Sequence, residues 1–251
     1  MIKNKILKKL TYFLLFIIIL VLIFFLILYA INRKYVINAQ NNEYKILKEI
    51  YSPTFELKDV TINNHIYVSI DNVSPYLVNG YIVIEDQNFY KHNGVDLKAI
   101  MRAFFKILEN KGKIVEGGST ITQQIVKNNI LTQEQTIDRK IKEFFIALDF
   151  EKKFSKQEIM EIYLNTNYYG NGCYGVEKAS NLYFGKSTKD LTIGECAVLI
   201  GVSNSPNNYN PIVNYDLCIK KRNNILEKMK NENIITKEEY KNALQEQYII
   251  Q

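Results

Sequence analysis

The sequence contains few residues of the kinds that bind zinc. Its 251 residues include three cysteines and two histidines, and no two cysteines have the CxxC spacing. Zinc sites are built from several closely spaced Cys and His ligands, so this scarcity argues against a zinc protein. The G-x-x-x-x-G-K-[ST] spacing of a Walker A phosphate loop is also missing.

Acidic residues are absent from positions 1–34, which contain six lysines and arginines. These six account for the whole formal net charge of +6, because the rest of the chain carries 26 basic and 26 acidic side chains. The basic pI therefore reflects the N-terminal region, and it gives no support to a nucleic-acid partner.

An uncharged run of twenty residues extends from Tyr12 to Ile31. As a helix it is about 30 Å long, the thickness of the hydrocarbon core of a bilayer. The run is too long for a signal peptide and has no small-residue cleavage site. Four lysines precede it, whereas only Arg33 and Lys34 follow. This excess predicts a cytoplasmic N-terminus and a single-pass cell-membrane protein with an extracytoplasmic domain.

The rest of the chain has helical patterns and no alternation of strands with helices, so it predicts a mainly α-helical domain. Apolar residues recur at helical spacing within 97–108 and 137–148. Three capping boxes mark further helix starts, at Ser155, Thr192 and Thr236. We predict an anchor over 1–34, a connecting segment over 35–74 and one domain over 75–251.

The first candidate for chemistry is Glu85, at the head of the segment EDQNFYKHNGVD. It directly follows the apolar residues 81–84, so its carboxylate is expected at the edge of a core, where it suits a general base. The alternative is an ordinary polar turn between two helices. His92, in the same segment, is more readily a hydrogen-bonding brace than a catalyst.

The second candidate is the segment GGSTITQQIVKN, residues 117–128. Ser119 or Thr120 is expected to cap a helix, and the free N–H groups of a helix start suit a phosphate. The alternative is a capped helix with exposed polar residues. Side chains one turn further on add donors: Gln123, Gln124, Lys127 and Asn128.

The third candidate is the segment RKIKE, residues 139–143. Arg139 and Glu143 are helical neighbours, with Lys140 on the adjoining face. This pattern fits a solvated helix face with one surface ion pair. It equally fits cations that hold a diphosphate, or a divalent metal bound to one.

Taken in order, these segments resemble the motifs of glycosyltransferase family 51, the peptidoglycan glycosyltransferases. The resemblance runs from about Tyr67 to the C-terminus. Its five motifs are matched by YLVNGYIVIEDQNFYKHNGVD, GGSTITQQIVKN, RKIKEFFIALDFEKKFSKQEIMEIYLN, NYYGNGCYGVEKASNLYFGKS and ECAVLIGVSNSPNNYNP.

The resemblance implies a mainly α-helical, lysozyme-like domain with head and jaw lobes, preceded by one transmembrane helix. It implies an enzyme that polymerises lipid II by inverting transfer onto the GlcNAc 4-hydroxyl and releases undecaprenyl diphosphate. The implied partners are lipid II, the growing glycan strand, the membrane and other cell-wall synthesis proteins. A divalent cation, Mg²⁺ or Mn²⁺, is expected only with the donor diphosphate, and no protein metal site is expected.

The same resemblance assigns roles to single residues. Glu85 matches the base that deprotonates the acceptor, and Glu143 matches a second glutamate that organises the site and contacts a cation. Tyr168 matches an aromatic residue that lines the cleft. The residues that match the donor diphosphate site are Ser119, Gln124, Lys127, Arg139 and Lys140.

Three positions depart from the family pattern. Gln135 stands where relatives carry Lys or Arg, which puts one phosphate contact in doubt. Tyr169 replaces Phe and Ser180 replaces Ala, and both changes look tolerable. The sequence has no S-x-x-K and no K-T-G motif, so the expected enzyme is monofunctional, without a transpeptidase.

Two rival functions remain open at this point. One is a lysozyme-like hydrolase that uses Glu85 as an acid, although it leaves the Ser-Thr-Gln-Gln-Lys stretch, RKIKE and the anchor without a role. The other is a catalytically silent scaffold of a wall-synthesis complex, although a scaffold has no need of both glutamates.

Overall fold

The computed structural model describes residues 2–44, 66–109, 117–131, 134 and 136–248, and within them the chain is mainly α-helical, as predicted. These residues contain no β-strand, and their one β-type pairing is an isolated bridge between Tyr168 and Tyr174. The helices are α1 (Ile2–Asn41), α2 (Pro75–Glu85), α3 (Leu97–Glu109), α4 (Ile121–Asn129), α5 (Ile137–Lys153), α6 (Lys156–Thr166), α7 (Val176–Phe184), α8 (Ile193–Asn204), α9 (Tyr215–Asn231) and α10 (Lys237–Gln245).

Local capping fixes where several helices begin. The three predicted capping boxes are confirmed at the starts of α6, α8 and α10. A fourth box, not predicted, starts α4: the Thr120 side chain accepts from the backbone N–H of Gln123, whose side chain bonds back to Thr120. Thr120 is therefore the cap of α4, and this leaves the hydroxyl of its neighbour Ser119 available for other contacts.

Helix α8 is the centre of the core. It is buried continuously from Gly194 to Val202 and packs against both α2 and α9. Gly80 of α2 permits the close approach, because a Cβ there would lie 2.4 Å from Cδ1 of Ile200. This packing brings the C-terminal ends of α2 and α8, Glu85 and Asn204, next to each other.

The predicted apolar helix is confirmed as α1, which is long and apolar enough to cross a membrane over Thr11–Asn41. Its C-terminal half packs on α5: the ring of Phe25 lies 6.3 Å from that of Phe144, and Tyr29 lies 5.6 Å from Phe145. The helix continues through residues 35–41, the start of the predicted connecting segment. The boundary between anchor and connection stays a prediction, and residues 45–65 lie outside the described part of the chain.

Helix α3 is amphipathic, as its sequence pattern predicts. The side chains of Leu97, Ile100, Met101 and Phe105 are exposed to the surroundings, although they are large and apolar. This row of side chains is the apolar face of α3.

Candidate active site

Glu85 is the last residue of α2 and lies half-buried at the edge of the core. Gln124 of α4 donates from Nε2 to its Oε2 at 2.8 Å, and the side-chain amide of Asn204 donates to its Oε1. Both carboxylate oxygens thus accept from neutral amides. No cation among the described residues forms an ion pair with Glu85.

Gln124 is itself held in one orientation. The hydroxyl of the fully buried Tyr163 donates to Oε1 of Gln124 at 3.3 Å. Burial, reinforced by the charge of Glu85, raises the pKa of Tyr163 well above its usual range, so Tyr163 remains a neutral donor. The amide oxygen of Gln124 therefore faces Tyr163, and its NH₂ group faces Glu85.

His92 acts as a brace, as the sequence predicts. Its Nε2 bonds to the carboxylate of Asp86 at 2.8 Å, and its Nδ1 accepts from the backbone N–H of Gly94 at 3.1 Å. Asp86 also accepts from the backbone N–H of Ile121 at 3.0 Å. Because Ile121 is the first residue of α4, this network ties the end of α2 to the start of α4.

Glu143 lies at the centre of a cluster of cations. Its exposed fraction is only 1 %, Arg139 Nη1 lies 2.6 Å from its Oε2, and Lys140 Nζ contacts its Oε1. Lys140 Nζ also donates to Oγ of Ser119 at 3.0 Å. The interpretation of Glu143 as part of a solvated surface ion pair is therefore wrong. We call Ser119, Arg139, Lys140 and Glu143 the cationic cluster.

Two consecutive glutamines on α4 connect the two glutamates. Gln123 Nε2 donates to Oε1 of Glu143 at 3.1 Å, while Gln124 donates to Glu85. The two carboxylates nevertheless differ in their partners, because Glu143 forms ion pairs with two cations and Glu85 forms none with the described residues. One helix thus contacts both the carboxylate of Glu85 and a carboxylate within the cationic cluster.

Hydrogen-bond donors remain unpaired at this site. Nε of Arg139 is buried and has no acceptor among the described residues. Lys127 lies three residues after Gln124 on α4, on the same face by helical spacing, and forms no hydrogen bond or ion pair with the described part of the chain. A buried N–H without an acceptor costs free energy, which a bound anion would recover.

Tyr168 lies on the glycine-rich loop before α7. Its side chain is 38 % exposed, and its ring packs on Tyr174 at 4.8 Å. No hydrogen bond or ring contact within the described residues joins it to Glu85 or to the cationic cluster, so its role in the cleft stays a prediction. The loop is fixed through the next residue, Tyr169, whose hydroxyl lies 2.6 Å from that of Tyr81.

The structure describes two of the three departures from the family pattern. The Tyr169 hydroxyl that Phe would lack is paired with Tyr81, and the buried Ser180 donates from Oγ to the carbonyl of Lys186 at 2.7 Å. Each additional hydroxyl therefore has a hydrogen-bond partner, which supports the prediction that both changes are tolerated. Gln135 lies outside the described residues.

Asn204 is a site residue that sequence reasoning missed. It is the last residue of an apolar helix and lies 119 residues from its partner Glu85. No local pattern marks it, because its place depends on the close packing of α2 on α8. For metals, the described residues contain no group of three or more Cys, His, Asp or Glu side chains that could hold an ion.

Comparison with known proteins adds an independent observation. A family model described as "Transglycosylase" matches residues 54–230. The chain is 43 % identical over 185 residues to penicillin-binding protein 1A of Aquifex aeolicus, which covers 74 % of this chain and 25 % of that protein. It is 41 % identical over 184 residues to penicillin-binding protein 1F of Bacillus subtilis, which covers 73 % and 26 %.

A solved structure is also similar, that of penicillin-binding protein 1A from Haemophilus influenzae. The match has 24 % sequence identity and a TM-score of 0.45, and it covers 74 % of this chain and 18 % of that one. The chain thus spans about a quarter of the length of the curated relatives that it matches.

Proposed function

Because this chain belongs to glycosyltransferase family 51, the transglycosylases, we propose that it polymerises lipid II into the glycan strands of peptidoglycan. The observation that carries the proposal is the contrast between the two glutamates. Glu85 forms no ion pair among the described residues, whereas Glu143 lies within the cationic cluster. A transferase that expels a diphosphate needs both a base and a separate cationic region.

Glu85 serves as the general base in this proposal. It removes the proton from the 4-hydroxyl of the acceptor GlcNAc, and the oxygen attacks C1 of the donor MurNAc with inversion. The bond from C1 to the lipid diphosphate breaks, and undecaprenyl diphosphate leaves. Gln124 and Asn204 support this role, because their amides hold the carboxylate in one position without neutralising it.

The cationic cluster stabilises the leaving diphosphate. Negative charge accumulates on the phosphate oxygens as the bond to C1 breaks, and fixed cations stabilise that charge. The Nε–H of Arg139 and the ammonium of Lys127, which have no acceptor among the described residues, supply donors in addition to Lys140 and Ser119.

The divalent cation expected with the donor diphosphate stays a proposal. The hydrogen bonds and ion pairs of Glu143 do not favour a metal ion bound to this side chain. A metal ion needs carboxylate oxygens that are free to coordinate it. Both oxygens of Glu143 already accept from Arg139, Lys140 and Gln123. The residues therefore do not fit a protein-bound metal at Glu143, and no step proposed here depends on one.

The membrane is the proposed location of the reaction. Helix α1 is long and apolar enough to span it, and the apolar face of α3 offers a second surface that is stable next to lipid. The basic residues before the apolar run favour a cytoplasmic N-terminus and an extracytoplasmic domain, where a lipid-linked substrate is delivered.

The hydrolase hypothesis and the transferase hypothesis predict activity on different substrates. Both oxygens of Glu85 accept hydrogen bonds, which suits a proton acceptor better than the acid of a hydrolase. Incubation of the purified protein with lipid II is expected to give glycan polymer, and incubation with finished glycan is expected to give no new reducing ends. The opposite pair of results would establish a hydrolase, and a protein inert to both substrates would favour the scaffold.

Replacement of Lys140 with Ala is expected to weaken binding of moenomycin, a phosphoglycolipid inhibitor that mimics the donor lipid, by about tenfold. The variant loses one ammonium near the phosphate and the contact with Ser119. Titration of the inhibitor against both proteins measures the effect. The matched control is Lys152→Ala, which removes an exposed lysine from the same helix and should leave affinity unchanged. Equal affinity of Lys140→Ala and the parent protein would contradict the assignment.

Deletion of residues 1–34 is expected to leave an active domain in detergent and to reduce activity in liposomes. Anchoring raises the effective concentration of enzyme near its lipid substrate, and this advantage is lost without the span. Detergent is expected to cover the rings of Phe144 and Phe145, which lose their contacts with Phe25 and Tyr29 in the truncated form. An unrelated membrane-spanning helix fused before Tyr35 is the control and should restore activity in liposomes. Equal loss in both media would show that α1 supports the fold or the site instead.

A further inference from the structure

Lys221 on α9 reaches the candidate active site through one intermediate. Its Nζ donates to Oδ1 of Asn204 at 2.9 Å, and Nδ2 of Asn204 donates to the carboxylate of Glu85. Gly201 of α8 makes room for the lysine, because a Cβ there would lie 3.0 Å from Cγ of Lys221. The side chain therefore runs along α8 toward the end of α2.

This arrangement determines which way the Asn204 amide points. An ammonium group only donates hydrogen bonds, so it accepts no contact from an NH₂ group. With Lys221 charged, the amide oxygen of Asn204 must face the lysine, and its NH₂ group must face Glu85. Without the lysine, the amide is free to rotate and present its oxygen to the carboxylate, which would repel it.

Lys221 also interacts electrostatically with the carboxylate of Glu85. Its pKa is lowered from the usual value, mainly because half-burial removes water, and in smaller part because Lys228 repels it; the negative charge of Glu85 opposes both effects. The ring of Tyr209 lies 5.3 Å from Nζ on another side. Among the described residues, no carboxylate forms an ion pair with Lys221. The carboxylate that interacts with it electrostatically, over a longer distance, is that of Glu85.

The other groups around Glu85 do not supply this positive charge. Asp86 follows Glu85 in the chain and is paired with His92. Tyr163 and Tyr169 are two further titratable neighbours of Glu85. Burial raises the pKa of both tyrosines, so they remain neutral over the working range of an enzyme. Lys221 is therefore a cation that acts on Glu85, both through the Asn204 amide and through its charge.

We propose that Lys221 is a positioning residue for Glu85, which orients the Asn204 amide and supplies the nearby positive charge that keeps the carboxylate ready to accept a proton. This inference rests on the proposed function, because it assigns Lys221 a part in the general-base step. Lys221 acts through Asn204 and touches neither substrate nor leaving group.

The test is the pH dependence of lipid II polymerisation by the full-length protein and its Lys221→Met and Lys221→Arg variants. Loss of the cation is expected to lower kcat about tenfold. It is also expected to move the acidic limb of the pH–rate profile to higher pH by about half a unit to one unit, because a nearby positive charge favours the ionised carboxylate. The KM for lipid II and the affinity for moenomycin should stay within about twofold, because the donor site is untouched. Lys221→Arg should restore most of kcat and the position of the limb.

A double-mutant cycle with Asn204→Ala keeps the proposal falsifiable if one variant folds poorly. Since Lys221 acts through Asn204, the two losses in kcat should be strongly non-additive. The control Lys220→Met removes an exposed lysine of the same helix and should leave the profile in place.

An unmoved acidic limb in Lys221→Met, additive losses in the cycle, or a weakened affinity for moenomycin would each overturn the positioning role. The proposed function would survive these results. A parent protein that fails to polymerise lipid II would overturn both, so the two failures are distinguishable.

Discussion

Replacement of Glu85 with Gln is expected to lower the rate of lipid II polymerisation by about 10²–10⁴-fold, the usual cost of losing a general base. Gln has nearly the same volume and still offers one oxygen to Gln124 and Asn204, but it does not accept the proton of the acceptor hydroxyl. Because the side chain is only half-buried, the fold should remain intact. Initial rates at saturating lipid II measure the loss of activity, and circular dichroism checks that the fold is intact.

The matched control for this variant is Glu227→Gln, which makes the same chemical change at an exposed position of α9. It should keep the parental rate. Affinity for moenomycin should also be unchanged in Glu85→Gln, since the cationic cluster is intact. A well-folded Glu85→Gln protein with near-normal turnover would contradict the role of Glu85 as the base.

Replacement of Glu143 with Gln is expected to reduce both activity and stability. The amide leaves Arg139 and Lys140 without their counter-ion, at a position where the Glu143 side chain itself is buried. Allowing for the half-exposed Lys140, we expect a loss of about 2 kcal/mol in the free energy of unfolding. This loss corresponds to a fall of about 4–8 °C in Tm. The rate should fall by about 10²-fold, because the cations are no longer held in place for the diphosphate.

Helix α5 offers a matched control for Glu143. Asp138 and Lys142 form an ion pair in the same helix with the same spacing as Arg139 and Glu143, but the Asp138 side chain is 70 % exposed. Asp138→Asn should leave both the melting temperature and the rate unchanged, because exposed pairs contribute little. Similar behaviour of Asp138→Asn and Glu143→Gln in thermal melts and rate assays would show that burial of Glu143 is not what makes it important.

The parts of the fold that follow from local chemistry could be predicted from the sequence. The capping boxes at Ser155, Thr192 and Thr236 each depend on two side chains three residues apart, and all three helix starts are confirmed. The length of the apolar run likewise predicts α1. The packing of Tyr29 on Phe145 was not predictable, because an apolar surface that faces lipid and one that faces protein have the same composition.

The candidate site divides in the same way. Arg139 and Glu143 are helical neighbours, so their pairing follows from spacing, whereas the burial of Glu143 does not. Family resemblance identified Glu85 and Gln124 but not the contact between them, which joins residues 39 positions apart. Lys221 lacked any local signal, because its approach depends on Gly201 and on the packing of α9 against α8.

The most direct test of the central claim is the stoichiometry of the reaction of the full-length protein with lipid II. The proposed mechanism predicts one undecaprenyl diphosphate released for each new glycosidic bond, and each new bond should have the inverted configuration at C1 of MurNAc. Chromatography measures the released lipid, and analysis of the polymer from the same reaction gives the number of new bonds and their configuration at C1. Lipid II that remains intact, or polymer whose C1 configuration is retained, would contradict the account.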